Sequence, residues 1–142
     1  ELNALLGCVR PTGHDDVDDL LREVQNHLHV VQADLANPDP DADAPTVTAD
    51  HVETLEAWMD ACDDELDPLT SFILPGGGPA GASLHHARAV CRRAERRTVT
   101  LAEAEPVNDH AVVYLNRLSD ALFVFGRLAN ERDGAREEHP TY

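Results

Sequence analysis

Apolar residues recur along most of this chain at intervals of three and four, with polar residues between them. From Asp15 to about Leu35 the stripe runs Val17, Leu20, Leu21, Val24, Leu28, Val31 and Leu35, one face of a 3.6-residue period. Asp15 or Asp16 can cap its start, and acidic residues crowd the first turn, where the helix dipole favours them. The proline- and aspartate-rich stretch 37–46 ends it as an inter-helix loop. A second helix is expected from Thr48, with Val52, Leu55, Trp58, Met59, Cys62 and Leu66 facing inward and Pro68 closing it. A third runs from about Ala82 to Leu101 through Leu84, Ala87, Cys91 and Ala94. The last opens at the capping pair Asn108-Asp109 and shows Ala111, Leu115, Leu118, Leu122, Phe125 and Ala129 on one face before Gly134. Glu1 to Leu6 reads as the tail of a further helix, truncated on its N-terminal side. No segment alternates with period two, so no sheet is expected. The pattern predicts an all-α, up-down antiparallel bundle of five helices, a single domain over residues 1–142. The charged tail 131–142 is expected to fray.

Composition refines this picture. Hydrophobic content of 42% with only 4% aromatics implies a core of Leu, Val and Ala. The formal charge is −16, from 27 acidic residues against 11 basic ones, and every basic residue is Arg. A chain this acidic would be repelled by a phosphate backbone, which argues against nucleic acid as a partner. It would also repel itself in dilute salt, a penalty removed in molar salt, where the Debye length shrinks to about 3 Å. Acidic excess without Lys therefore resembles the protein surfaces of salt-loving archaea and predicts a halophilic, haloarchaeal protein; an acidic binding surface is the alternative. No apolar run approaches the roughly 18 residues of a membrane span, and no signal peptide is visible. Cys8, Cys62 and Cys91 form no CxxC pair. Cys62 and Cys91 fall on apolar stripes as small core residues, and the odd count fits a reducing, cytoplasmic setting. The chain opens at Glu1 without an initiator Met, so an upstream piece is expected.

Against this acidic background, five of the eleven arginines fall within ten residues, Arg88 to Arg97. On a helical wheel Arg88, Arg92 and Glu95 lie within about 60° of one another with Arg96 beside them, while Arg93 and Arg97 point away. Guanidinium is permanently charged and forks two hydrogen bonds onto phosphate oxygens, so such a face suits a polyphosphate. Glu95 could orient an arginine or approach a phosphate-bound Mg²⁺. Equally, these arginines could pair with acidic residues of neighbouring helices or of another subunit, and spacing alone does not decide. Asn116 and Asp120, four apart on a mainly apolar helix, could brace helices or read a ligand. The loop from Ser71 to Gly78 is glycine-rich but lacks the Lys and Ser/Thr of a Walker loop. Its Phe72-Ile73-Leu74 followed by Pro75-Gly76-Gly77-Gly78 reads as an anchored turn that holds a side chain in a set place. His27 and His29 diverge by about 200° on a helix, His85 and His86 also diverge, and no Glu-x-x-His pattern occurs on the long helices, so no metal site is expected.

Four motifs in order carry a resemblance: Ser71-Phe72-Ile73-Leu74-Pro75-Gly76-Gly77, Leu84-His85-x-Ala87-Arg88, Cys91-Arg92-Arg93-Ala94-Glu95-Arg96, and Tyr114-Leu115-Asn116-Arg117-Leu118-Ser119-Asp120-x-Leu122-Phe123. With the opening Glu1-Leu2-Asn3, they resemble the ATP:cob(I)alamin adenosyltransferases of the trimeric five-helix family over nearly the whole chain. The resemblance implies transfer of the 5′-deoxyadenosyl group of ATP to the cobalt of cob(I)alamin, with release of triphosphate. It implies ATP with Mg²⁺ and cob(I)alamin as substrates, a homotrimer with sites near its subunit interfaces, and a cobalamin reductase as a further partner. Cobalt(I) is itself a strong nucleophile, so the protein's tasks would be placement of the ATP C5′ carbon and neutralisation of the leaving triphosphate. By resemblance, Arg92, Arg93, Ala94, Glu95, Arg96 and Asn116 bind ATP, and Arg88 supports catalysis near an interface. Phe72 is carried over as both a cobalamin-binding and a catalytic residue, displacing the lower axial ligand of cobalamin and so easing reduction of cobalt(II).

The sequence departs from the family in one respect. The family's N-terminal Thr/Gly-rich segment with its Gly-Asp-x-Gly core, which wraps the ATP phosphates, does not occur in these residues. Nor does the Asp expected just before Glu1, which in relatives pairs with the arginine matched by Arg88. The segment is expected upstream of Glu1; without it, ATP binding would be in doubt. Two other readings compete: a non-catalytic acidic helical-bundle scaffold, with the arginines as interface ion pairs and Phe72 as a core anchor, and a cobalamin carrier that has lost ATP binding.

Overall fold

Five helices form in the computed structural model, which describes residues 1–39 and 42–142: α1 (Leu2–Val9), α2 (Asp15–Ala36), α3 (Ala49–Asp63), α4 (Pro79–Ala104) and α5 (Asp109–Arg132). Among the described residues there is no strand. Pro40 and Asp41, within the expected 37–46 loop, lie outside the described residues.

Side-chain contacts fix the directions of the helices. Asn116 of α5 meets Glu95 of α4, and Asn130 meets Gly78 just before α4, so the two longest helices run antiparallel. His27 of α2 reaches Tyr114, and His14 before it reaches Asp133, so α2 also opposes α5. Glu56 and Glu65 pair with Arg117 and Arg132, which makes α3 parallel to α5. α1 lies antiparallel to α2 through Asn3 to Gln32 and Arg10 to Gln25, and touches α4 through Glu1 and Arg93. Helix α5 is thus surrounded by α2, α3 and α4. Its predicted stripe is buried, and so are Tyr114, Ala121, Gly126 and Leu128 outside it. A helix covered on several sides must be apolar around more of its circumference.

The core is built from the predicted aliphatic stripes. Leu6, Leu21, Leu55, Leu84, Leu118, Leu122 and Phe125 are fully buried, each contributing about 1.5–3 kcal/mol relative to exposure. Cys62 and Cys91 are buried as expected, and burial pushes their thiols up, to about 11 and about 12. The Cys91 thiol donates to the Leu115 carbonyl at 3.2 Å, a structural bond between α4 and α5.

Element boundaries moved for local reasons. Helix α4 begins at Pro79 rather than Ala82, because proline at the first helical position has a preset φ and lacks only an N–H that would be unpaired anyway. The α2 cap position is His14, so Asp15, Asp16 and Asp18 lie inside the first turn rather than at the cap. Helix α3 ends at Asp63, ahead of Pro68, and the chain turns through Leu66 N–H to Asp63 O at 2.9 Å. Thr48 caps α3 in a capping box with His51, and Asn108 caps α5 by accepting from His110 N–H at 3.0 Å.

Residues 131–142, expected to fray, make specific contacts with the fold as far as His139. Gly134, at φ +69°, turns the chain after α5, and Ala135 N–H bonds back to Asn130 O at 2.9 Å. Glu137 then pairs with buried Arg127 at 2.5 Å, and Leu74 N–H donates to Glu138 O at 2.7 Å. Arg132, Asp133 and Glu137 of this segment have charged partners elsewhere in the fold, which a count of charged residues does not reveal.

Candidate functional site

The first half of the site is one face of α4. Leu84, Ala87, Val90, Cys91 and Thr98 bury the adjoining face, which places Arg88, Arg92, Glu95 and Arg96 along its edge on successive turns. Arg92 and Arg96 are exposed, while Glu95 is half-buried. Asn116 Nδ2 donates to Glu95 Oε1 at 2.8 Å, bridging α5 to α4. Arg92, Glu95, Arg96, Val99, Thr100 and Asn116 together line a surface hollow of about 410 Å³. Arg96 Nη1 donates to the Arg92 carbonyl at 3.3 Å. Among the described residues, neither Arg92 nor Arg96 has a carboxylate within ion-pair distance, although five other arginines do. In a chain of charge −16 that is not for want of acids. Two exposed guanidinium groups without an internal counter-charge can bind a polyanion without first breaking an ion pair.

The wheel reading of the neighbouring residues also holds. Arg93 lies on the other side of α4, where it pairs with Glu1 and holds that carboxyl below its usual range. Ala94, Arg93 and Arg97 border a second, apolar hollow with Leu28, Val31 and Leu115. Arg88 stacks its guanidinium over the Phe123 ring, 5.3 Å from its centre, with Nε buried and unpartnered. Asp120 pairs with Arg117 at 3.1 Å rather than sharing a contact with Asn116.

The second half is the loop before α4. Phe72 is 80% exposed, which removes the reading of it as a core anchor. Its backbone is nevertheless tied down. His139 Nδ1 lies 2.8 Å from Ser71 Oγ and 2.9 Å from the Phe72 carbonyl oxygen. Arg127 Nη2 donates to Asp67 O at 3.0 Å. Further along, Asn130 donates to Gly76 O at 2.9 Å and accepts from Gly78 N–H at 3.0 Å. An anchored turn was expected, and this is one: fixed backbone, outward aromatic ring. A large apolar side chain held in water forgoes about 1.5–3 kcal/mol of burial, so a loop built to hold it there marks a contact surface.

The halves adjoin along α4. His85, buried and 5.7 Å from the Phe123 ring, borders a cavity of about 200 Å³ beneath Ile73–Gly77. Burial and the neighbouring Arg88 charge lower the His85 pKa. Arg92 lies two turns further on, about 10 Å along the axis. Sequence reasoning missed Asn130, Arg127 and His139. For Asn130 and Arg127 a signal existed, since each interrupts the apolar run of α5 near its end. His139 had none, as its partners are 67 and 68 residues away. A further cluster was also missed: His27 stacks on Trp58 at 5.4 Å, edges His51 at 4.9 Å and reaches the Tyr114 hydroxyl at 3.2 Å. Burial, with the neighbouring His51, lowers the His27 pKa. Among the described residues no three His, Cys, Asp or Glu side chains converge as metal ligands would.

Comparison with known proteins returns a consistent set. Residues 1–129 match the family described as cobalamin adenosyltransferase. The corrinoid adenosyltransferase of Mycobacterium tuberculosis (strain ATCC 25618 / H37Rv) is 42% identical over 137 residues, covering 92% of this chain and 71% of that protein. The human corrinoid adenosyltransferase MMAB is 38% identical over 147 residues, covering 97% of this chain and 58% of that protein. Among solved structures, a variant PduO-type ATP:corrinoid adenosyltransferase from Lactobacillus reuteri, complexed with cobalamin and ATP, superposes with a TM-score of 0.90 at 29% identity, covering 98% of this chain and 77% of that one.

Proposed function

The chain belongs to the cobalamin adenosyltransferase family, and from that premise we propose that it transfers the 5′-deoxyadenosyl group of ATP to cob(I)alamin, giving adenosylcobalamin and triphosphate. The observation that carries this reading is the α4 face, where Arg92 and Arg96 stand exposed, without carboxylate partners among the described residues, beside the Glu95–Asn116 bridge. In the transfer the cobalt electron pair forms the bond to C5′ while the C5′–O bond breaks and its electrons leave with triphosphate. Positive charge fixed at the departing phosphates lowers the barrier, because the negative charge grows there as the bond breaks.

In this reading Arg92 and Arg96 hold the triphosphate of Mg²⁺-bound ATP. Asn116 contacts ATP while its amide fixes Glu95, and Glu95 faces the arginines or the phosphate-bound Mg²⁺. Arg93 and Ala94 complete the ATP segment from the neighbouring side of α4, where Arg93 pairs with Glu1. Arg88, with a buried Nε lacking a partner among the described residues, supports the site at a subunit boundary of a homotrimer. Phe72, exposed on an anchored loop, packs against the lower face of the corrin ring and excludes the axial ligand, a role open to an aromatic ring because it fills space and cannot ligate the metal. A reductase supplies the electron for cobalt(II).

The single-domain reading is supported by one apolar core drawing residues from all five helices. No helix of the described residues is long and apolar enough to cross a membrane. The three free cysteines agree with a reducing cytoplasmic setting, and the charge of −16 agrees with salt adaptation. The test is incubation of the full-length protein with ATP, Mg²⁺ and anaerobically reduced cobalamin at high salt. Light-sensitive adenosylcobalamin is the expected product, and its absence sinks the proposal. Phe72→Ala is expected to slow turnover when cobalt(II) must be reduced on the protein, and an unchanged rate refutes the axial-ligand role.

A further inference from the structure

We infer that Asn130 is a positioning residue: its buried side-chain amide brackets the turn Gly76–Gly78 and so sets the Phe72 loop against the arginine face of α4. The inference rests on the proposed function for its kinetic consequences, though not for its structural content.

Asn130 is 3% exposed and sits near the end of α5. Its amide uses both ends at once, Nδ2 donating to Gly76 O at 2.9 Å and Oδ1 accepting from Gly78 N–H at 3.0 Å. One planar group thereby satisfies two main-chain groups across a tight turn, where leaving either unpaired would be costly. The turn in turn is shaped to the amide. Gly77 has φ +109°, a conformation that strongly favours glycine, and a Cβ there would stand 2.2 Å from Asn130 Oδ1. A Cβ at Gly81, in the first turn of α4, would stand 2.0 Å from the same atom. Both positions need glycine because Asn130 occupies the space.

The bracket joins three segments. Gly78 is the α4 cap residue and has no side chain of its own with which to cap, so Asn130 supplies the helix start with a tertiary partner. The Asn130 carbonyl accepts from Ala135 N–H, which ties in the tail whose His139 reaches the Phe72 carbonyl. Helix α4 carries Arg92 and Arg96, and the loop carries Phe72, so the amide fixes the offset between the two halves of the site. Reactions that depend on two bound partners are sensitive to such offsets.

Asn130→Asp keeps the size and the acceptor for Gly78 N–H but turns a second acceptor toward Gly76 O. Asn130→Ala removes both bonds, and Gly81→Ala leaves the amide in place but drives a methyl into it. Hydrogen exchange on the full-length protein without ligand is the first readout. In each variant residues 71–78 are expected to exchange about tenfold faster, with α2 and α3 unchanged; unchanged loop protection in Asn130→Asp overturns the inference, whether or not Asn130→Ala folds. The second readout is steady-state kinetics, where the KM for the corrinoid is expected to rise about tenfold with the KM for ATP within about twofold. Equal changes in both, or none, overturn the positioning role. An inactive wild-type protein removes the proposed transfer while the exchange result still decides the bracket.

Discussion

Arginine does opposite work on the two long helices. On α5, Arg127 holds one carboxylate and two arginines hold two each, Arg117 with Glu56 and Asp120 at 3.1 Å and Arg132 with Asp16 at 2.7 Å and Glu65 at 2.8 Å. On the arginine face of α4, Arg92 and Arg96 hold none among the described residues, and Arg88 rests on an aromatic ring. The same acidic chain surrounds both groups, so supply of carboxylates cannot explain the difference. What differs is the neighbourhood: α5 is flanked by acidic positions of α2, α3 and the tail, while the α4 arginines share their hollow with one carboxylate, Glu95, which is bonded to Asn116, and with Val99 and Thr100 of the same helix. Density of arginine is therefore a poor guide to an anion site in such a protein. Its pairing state is a better one.

The sharpest way to break this comparison is to remove one arginine from each class. Arg92→Ala is expected to cost about 2–5 kcal/mol of ATP-dependent turnover, through loss of a charge contact to phosphate, with the melting temperature nearly unchanged. Steady-state kinetics and thermal unfolding check it together. A large fall in melting temperature with normal turnover in the folded fraction would place Arg92 in the structural class instead. Arg127→Ala should do the reverse. Its guanidinium is 6% exposed and serves both Glu137 and the Asp67 carbonyl. Breaking a buried pair from one side costs about 3 kcal/mol, a fall of roughly 10 °C for a domain of this size. The KM for ATP should stay within about twofold, because nothing on the α4 face touches Arg127.

How far these classes could be read from the sequence depends on the range of the contacts that define them. The helices were legible because a 3.6-residue period is written locally, and so were the Asn108 cap and the common face of Arg88, Arg92 and Glu95. The loop was legible as an anchored turn, since Pro75 and the three glycines announce an unusual backbone. Its anchors were not. Asn130 meets the loop across 52 and 54 residues, and Arg127 reaches Asp67 across 60. The contacts of the tail were hidden for the same reason: residues 131–142 have the composition of a fraying end, and their partners, among them Arg127, Leu74 and Ser71, are brought to them by the fold. The resemblance to a family named the ends of the site, Phe72 and the arginines, but could not show which arginines the fold had already spent on carboxylates.

The smallest expected effect separates the two kinds of α5 arginine from each other. Arg132 is hydrogen-bonded to Asp16 and Glu65, whose side chains are 62% and 53% exposed, so this network is worth only about 1 kcal/mol at low salt. The hydrogen bond from Arg132 holds the Asp16 carboxyl below its usual range, with partial desolvation opposing. A carboxylate whose pKa is lowered by folding stabilises the fold above its unfolded pKa, about 4, and loses that contribution as the pH falls through the lower folded value. The gap in stability between wild type and Arg132→Ala should therefore be constant from neutral pH down to about 4 and close below it. It should also shrink in molar salt, where exposed pairs are screened at about 3 Å. Thermal unfolding across pH and salt reads both, and a gap that persists at pH 2 or in molar salt contradicts an electrostatic origin. The Arg127 gap should survive the salt, because water and ions do not reach that guanidinium. In molar salt the stability contributed by arginine then falls to the buried pair, while in the proposed function Arg92 and Arg96 would meet a polyanion with their charge largely screened, which favours forked hydrogen bonds over simple attraction.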